Sequence, residues 1–335
     1  MIPFPQIGPF NNLKKLVSLI GDTIYIQAHK LGYSFDYYYD ELLFDLFSTY
    51  YTGQKIVIVA SDGENLVRRG VVNFFDDLCN KGIVPRDLIT FISHDMHWDS
   101  NFKHEKLSYG PWFTQINEYI NSAGNFNSVN PDAKFVGCLI SRFTPTRFKL
   151  AYQLDQGFPD DNFLTFRGHI DSIKEFYSTI DLDNTYQDQV DWISNKQFDI
   201  DESVDNTGFL SWMTSCQAYH NLWPKYLIEC VAETDPFSNS FLTEKTARCI
   251  VSAKPFVIVA GKDSLKTLRT FGFQTYDSVI DESYDLETTT NARITGIIRS
   301  LTELYHSPDR LLKIAQLNEI AKYNQQIYDQ ICREI

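Results

Sequence analysis

Thr243, Glu244, Lys245 and Thr246 place two hydroxyls, a carboxylate and an ammonium at the start of a predicted helix. Thr243 or Ser240 is suited to cap that helix, because a short side-chain oxygen accepts an N–H that has no partner in the first turn. A helix start offers such N–H groups, with a partial positive charge, to an anion such as phosphate. Lys245 would add a full charge, and Glu244 could accept hydrogen bonds from a ribose. The plainer alternative is a capped surface helix carrying an ordinary Glu-Lys pair.

The segments around TEKT say where such a site would lie. Tyr226 to Ala232 is an apolar run long enough for a buried strand, and Pro255 to Ala260 is another, rich in β-branched residues. A polar turn, Glu233 to Ser240, and a helical pattern from Thr243 to Ala253 lie between them. Strand, loop, helix and strand in this order make the repeating module of a parallel α/β sheet. Loops at the carboxyl ends of parallel strands are where such sheets bind ligands. A second candidate cluster follows the predicted strand Lys134 to Ile140. There Arg142 and Arg147 flank the start of a helix over Phe148 to Leu154, and arginine suits two-point contact with phosphate. Both arginines could equally cap a surface loop.

A proton-transfer group would come from the polar ends of other strands. Gln54 to Ala60 is the clearest buried strand of the first half and runs into Ser61-Asp-Gly-Glu-Asn65. Leu88 to Ile92 runs into Ser93-His-Asp-Met-His97. Asp62, Glu64, His94 and Asp95 are therefore candidates, of which Glu64 and Asp95 are preferred; no motif singles one out. The pairs Asp181/Asp183 and Asp199/Asp201 have a D-x-D form but sit in an acidic, irregular region with no preceding strand. They are set aside as metal ligands, as is His94-x-x-His97, so no metal site is expected.

Between these points the pattern alternates strands and helices. Asn12 to Ile20 reads as a short helix, Thr23 to Ala28 as a strand, Tyr33 to Tyr51 and Leu66 to Asn80 as helices. Asn121 to Asp132, rich in Asn, Ser, Gly and Pro, marks a break between domains 1–130 and 131–335. Residues 155–210 are acidic and irregular, with helical stretches at Asp171 to Ile180 and Tyr186 to Ile193. Trp212 to Asn221 and Asp263 to Phe271 read as helices, and Phe273 to Asp277 as a short strand. The acidic turn Asp281 to Asp285 is expected in solvent, and Lys254-Pro-Phe256 is expected to lead structurally into a strand. Asn291 to Leu304 and Arg310 to Arg333 are two terminal helices.

Composition narrows the classes. Forty-three acids against 30 bases leave a net charge of −13, which argues against a nucleic-acid partner. The six cysteines form no CxxC pair and several lie in apolar runs, as reduced thiols of a cytoplasmic protein do. No apolar run approaches the length of a membrane span, and the first residues lack the features of a signal peptide. A soluble chain is expected. No GxGxxG follows a strand, which disfavours a dinucleotide-dependent oxidoreductase.

The order of these motifs resembles the donor-binding region of fucosyltransferase-type glycosyltransferases, which runs F-E-N-S, a gap, T-E-K, a helix and P-V-V. Glu233, Asn239, Ser240, Thr243, Glu244, Lys245 and Pro255 stand in that order, with a longer Glu–Asn separation (ETDPFSN) than the family has. The chain is still more similar to glycosyltransferase-like proteins of large DNA viruses and phages. It shares with them TEKT, Lys254-Pro-Phe256, Leu265 to Phe273 (LKTLRTFGF) and Asp281-Glu-Ser-Tyr-Asp285, over roughly a third of its length. High Asn, Ile, Tyr and Phe with few Ala fit an AT-rich viral or bacterial genome. The resemblance implies an α/β fold of two Rossmann-like lobes (the GT-B type) with C-terminal helices. It implies a metal-independent, inverting transfer of sugar from a nucleotide-sugar donor, GDP-fucose above others, to a glycan, glycoconjugate or other hydroxyl acceptor. Arg142, Arg147, Glu233, Asn239, Ser240, Thr243, Glu244 and Lys245 would bind the donor, which is a substrate, with no cofactor. If viral, the protein would work in the host cytoplasm. A UDP- or CMP-sugar donor, or a glycosyltransferase-like binding protein without turnover, are the alternatives.

Overall fold

The computed structural model describes residues 17–27, 37–60, 70–93, 100–106, 132–140, 144–166, 187–196, 198, 222–233 and 242–334. They form an α/β structure with one mixed and one parallel sheet, each in its own compact unit, and eight α-helices among the described residues. The passage from the first unit to the second runs through residues 107–131, so the expected break at Asn121 to Asp132 lies almost wholly outside the described residues.

The first unit carries strands β1 (Val17–Ile20), β2 (Thr23–Gln27), β3 (Lys55–Ala60), β4 (Ile89–Ser93) and β5 (Lys103–Lys106) in spatial order 1-2-3-4-5. β1 and β2 form an antiparallel hairpin and the other pairs are parallel. Period-2 burial is plain in β3, where Ile56, Ile58 and Ala60 are buried and Lys55 is exposed. They share a core with Leu43, Leu46 and Phe47 of helix α1 (Tyr37–Tyr50) and Val71, Val72, Phe75 and Leu78 of helix α2 (Val71–Asn80). Phe75 meets Phe47 and Phe91 edge-on, each with centroids 5.8 Å apart. Each such buried side chain stabilises the unit by roughly 1.5–3 kcal/mol. Charge guards the β5 edge: Lys103 and Glu105 are exposed and paired at 2.8 Å, which disfavours pairing with another strand.

The second unit holds β6 (Lys134–Ile140), β7 (Asn162–Phe166), β8 (Tyr226–Ala232) and β9 (Phe256–Val259), all parallel, in the order 7-6-8-9. Helix α3 (Pro145–Gly157) connects β6 to β7, and α4 (Gln187–Asn195) lies between β7 and β8 in sequence. Helix α5 (Glu244–Val251) connects β8 to β9, and α6 (Ser264–Thr270), α7 (Thr290–Tyr305) and α8 (Arg310–Glu334) follow. The chain leaves β6 toward β7 and then crosses back to β8. The direction of winding therefore reverses between β6 and β8, where open α/β sheets leave a crevice at the carboxyl ends of the strands.

Several expected elements differ. Residues 17–20 are a strand, not the end of a helix over Asn12 to Ile20, because their backbone pairs with β2. The irregular stretch 155–210 contains β7, whose polar Asn162 and Thr165 hide its strand character, although both are buried. Phe273 to Asp277 is not a strand. Side chains meet its backbone instead: Asn324 of α8 accepts from Gln274 N–H and donates to its carbonyl, both at 2.8 Å, and Glu282 accepts from Tyr276 N–H at 2.6 Å. Nor is Asp281 to Asp285 a solvated turn. Tyr284 and Asp285 are buried, and the Asp285 carboxylate accepts from Leu265 N–H at 3.1 Å, closing the start of α6. The expected helices at Asp171 to Ile180 and Trp212 to Asn221 lie outside the described residues.

One glycine sets the packing of the second sheet. Gly137 pairs with Phe163 on one side and Glu229 on the other, and the Tyr226 ring lies over it, stacked on Phe163 at 5.6 Å between centroids. A methyl group on Gly137 would meet Tyr226 Cγ at 2.4 Å, too close for any rotamer to relieve without moving the ring. Gly137→Ala is expected to destabilise the chain by about 1–3 kcal/mol, seen as a lower urea midpoint. An unchanged midpoint would show that Tyr226 does not need this space.

Candidate functional site

Two helices begin where the winding of the second sheet reverses. After β6, residues 141–143 are outside the described set, and Thr144 then caps α3 by accepting from Arg147 N–H at 3.3 Å, with Pro145 as the first helical residue. After β8 comes Glu233; residues 234–241 are outside the described set, and Thr243 caps α5. Because β6 and β8 are adjacent and parallel, both helix starts lie at the same end of the sheet.

At the start of α5 the geometry is closed by Glu233, which is 1% exposed. Its carboxylate accepts from Thr243 N–H at 2.9 Å, from Thr246 Oγ1 at 2.6 Å and from the Thr243 hydroxyl. Thr243 Oγ1 in turn accepts from Lys245 N–H at 3.3 Å and Lys245 Nζ at 3.2 Å. Glu233 is therefore bonded within the protein and positions the TEKT turn. Of the helix start expected to offer its N–H groups to an anion, a buried carboxylate already occupies part.

Glu229 holds the other end of α5. It is fully buried and accepts from Arg248 Nη2 at 2.9 Å and from the Tyr226 hydroxyl. Near it, Lys254 donates to the Trp223 carbonyl at 2.8 Å and to the Tyr226 carbonyl, with its Nζ 4.3 Å from the centre of the Tyr226 ring. Lys254 thus ties the chain before β9 to the start of β8, in the structural role expected of Lys254-Pro-Phe256. Arg147 is 5% exposed, so it is no surface cap. Burial, then Glu229, pushes the Cys138 thiol well up, while Arg147 and Arg248 pull it the other way.

Of the residues proposed from sequence, the structure brings Arg147, Glu233, Thr243 and Lys245 to this end of the second unit. Glu244 is the first residue of α5, its side chain outside the described set. Glu64, Asp95, Arg142, Asn239 and Ser240 lie outside the described residues, as do Asp62, His94, His97 and both D-x-D pairs. Among the described residues no group of His, Cys, Asp and Glu is placed to hold a metal ion, and no helix is long and apolar enough to cross a membrane. Cys79, Cys138, Cys230 and Cys249 are free thiols.

Two pairs were not singled out from sequence. Glu229 with Arg248 had a signal, since a glutamate inside the apolar run YLIECVA demands a partner. Ser93, at the carboxyl end of β4, bonds His104 Nε2 of β5 at 2.9 Å. Such an imidazole can transfer protons, but its strand, KHEK, is polar and edge-placed and gives little pattern to read.

No family model, curated protein or solved structure matches this chain. The site itself holds an arginine, a lysine and two helix starts, set against one buried carboxylate, at the carboxyl end of a parallel sheet.

The buried charges make stability depend on pH in both directions. Burial lowers Lys254 from 10.5 to about 7, against the opposing pull of Glu229. A neutral amine still has two N–H groups for the Trp223 and Tyr226 carbonyls. Between pH 7 and 9 the unfolded chain keeps the Lys254 proton and the folded chain does not, so stability rises with pH, by at most about 1.4 kcal/mol per unit. Above that range Cys138, Cys230 and Cys249, all pushed up by burial, reverse the trend. Burial raises Glu282 from 4.5 to about 7, so between those values the folded chain keeps a proton that the unfolded chain has lost, and stability falls with pH. The urea midpoint is expected to pass through a minimum near pH 7. Lys254→Met should remove the alkaline rise and Glu282→Gln the acidic fall; a wild-type profile flat from pH 5 to 9 would contradict both assignments.

Proposed function

We propose that this protein is a glycosyltransferase that takes a sugar from a nucleotide-sugar donor, built as two Rossmann-like lobes of the GT-B type. The observation that carries the reading is that α3 and α5 follow the carboxyl ends of the neighbouring parallel strands β6 and β8, with Arg147 and Lys245 in their first turns. Transfer from a nucleotide sugar leaves a diphosphate whose charge grows as the glycosidic bond breaks. Fixed cations and helix starts stabilise that charge without reorganising. In this reading Lys245 faces the leaving phosphates, the buried Arg147 adds its charge from behind the start of α3, and Glu244 meets the ribose. Arg142, Asn239 and Ser240 belong to the loops that lead into the same two helices.

The acceptor is a hydroxyl of a glycan or glycoconjugate, and its proton goes to a carboxylate, Glu64 or Asp95, that follows β3 or β4 in sequence. Displacement at the anomeric carbon then inverts its configuration. GDP-fucose is the donor that the order of motifs supports first, with UDP- and CMP-sugars behind it. Because cations of the chain itself meet the phosphates, turnover is expected to survive EDTA.

Calorimetry with GDP, UDP, CMP and ADP tests the reading. One nucleotide is expected to bind selectively, and Lys245→Ala to weaken it about tenfold or more, which is about 1.4 kcal/mol, while the protein stays folded. Equal affinity in the variant would remove Lys245 from the site. Selective binding with neither transfer nor donor hydrolysis would assign a binding protein instead of an enzyme.

A further inference from the structure

Three helices follow the strands β6, β8 and β9 of the second sheet, and their amino ends differ in charge. The start of α3 is capped by the neutral hydroxyl of Thr144. The start of α6 is closed by the Asp285 carboxylate, bonded to Leu265 N–H at 3.1 Å. The start of α5 lies between these cases, because the carboxylate beneath it, Glu233, bonds the cap residue and Thr246 while Lys245 stands over the same threonine hydroxyl.

Resting on the reading of this end as a phosphate site, we infer that Glu233 is a built-in counter-anion that holds down the site's affinity for phosphate. A carboxylate at a helix start satisfies the same donors and partial charge that a phosphate would. At 1% exposure it is little screened by water. It stabilises α5 when the site is empty and repels the second anion when the site is filled. Such a charge keeps a leaving nucleoside diphosphate from binding too tightly to depart, and product release limits many enzymes. Lys245 is the compensating charge: its ammonium reaches Thr243 Oγ1 at 3.2 Å and thus meets Glu233 through that hydroxyl.

Glu233→Gln isolates the charge. The amide oxygen can still accept from Thr243 N–H, and the threonine hydroxyls can turn to accept from its NH2 group. Binding of inorganic pyrophosphate, which has no base or sugar, is measured by calorimetry at low ionic strength for the wild type, Glu233→Gln, Thr246→Ala and Lys245→Ala. The inference expects Glu233→Gln to bind about fivefold tighter or more, and Thr246→Ala, which keeps the carboxylate and removes one donor from it, to bind about twofold weaker. Binding by Glu233→Gln where the wild type shows none supports it equally. Should Glu233→Gln not fold, Thr246→Ala decides: weaker binding supports the inference, unchanged or tighter binding overturns it. Equal or weaker binding by a folded Glu233→Gln overturns the inference alone, if Lys245→Ala still loses affinity. If no form binds pyrophosphate, or if a wild type that binds it keeps its affinity in Lys245→Ala, the phosphate site and this inference fail together.

Discussion

Two buried carboxylates on one strand decide where helix α5 lies. Glu229 and Glu233 both belong to the β8 segment and point to the same face, and α5 runs back along that face with Arg248 over the first and Thr243 and Thr246 over the second. Neither charge could stay in the sheet alone, because an ion without partners costs several kcal/mol in an apolar interior. Each is met by groups from the helix, so the position of α5 and the charge balance of the core are one constraint. Tyr226 joins the same network through its hydroxyl, and its ring needs Gly137 to be bare. The Lys254 amino group closes the far side on the carbonyls of Trp223 and Tyr226.

That constraint also gives the carboxyl end of the sheet its character. A helix start alone attracts anions; a helix start with a carboxylate under it attracts them less. The chain as a whole carries a net charge of −13, so attraction for a phosphate has to be local. In the proposed reading, Lys245 and the neutral cap of α3 supply it, with the buried Arg147 charge nearby, and Glu233 limits it. This balance differs from that of α6, where the Asp285 carboxylate closes the helix start and serves the packing of the turn 281–285 against it.

Much of the second unit could be read from the chain directly. The runs Lys134 to Ile140, Tyr226 to Ala232 and Pro255 to Ala260 are apolar because parallel strands are buried on both faces, and they proved to be β6, β8 and β9. Thr243 as a cap and the two terminal helices were equally legible, since caps and helical periodicity are local properties. Polar edge elements were not: β5 and β7 become strands because a neighbour pairs with them, and nothing in KHEK or NFLTF requires it. Phe273 to Asp277 shows the reverse case. Its residues suit a strand, yet Asn324, fifty positions further on, and Glu282 satisfy its backbone.

By itself, then, the sequence determined that the chain is α/β, which runs form its central strands, and that TEKT begins a helix after one of them. Those are consequences of period, composition and capping, which act within a few residues. Only the tertiary structure decided the order 7-6-8-9, and with it that α3 and α5 start at the same end of neighbouring strands. It also decided that Glu233 turns inward to hold that helix start and that Arg147 is buried beside the sheet. Strand order and the partners of buried charges depend on residues far apart in sequence, whose meeting no local pattern encodes.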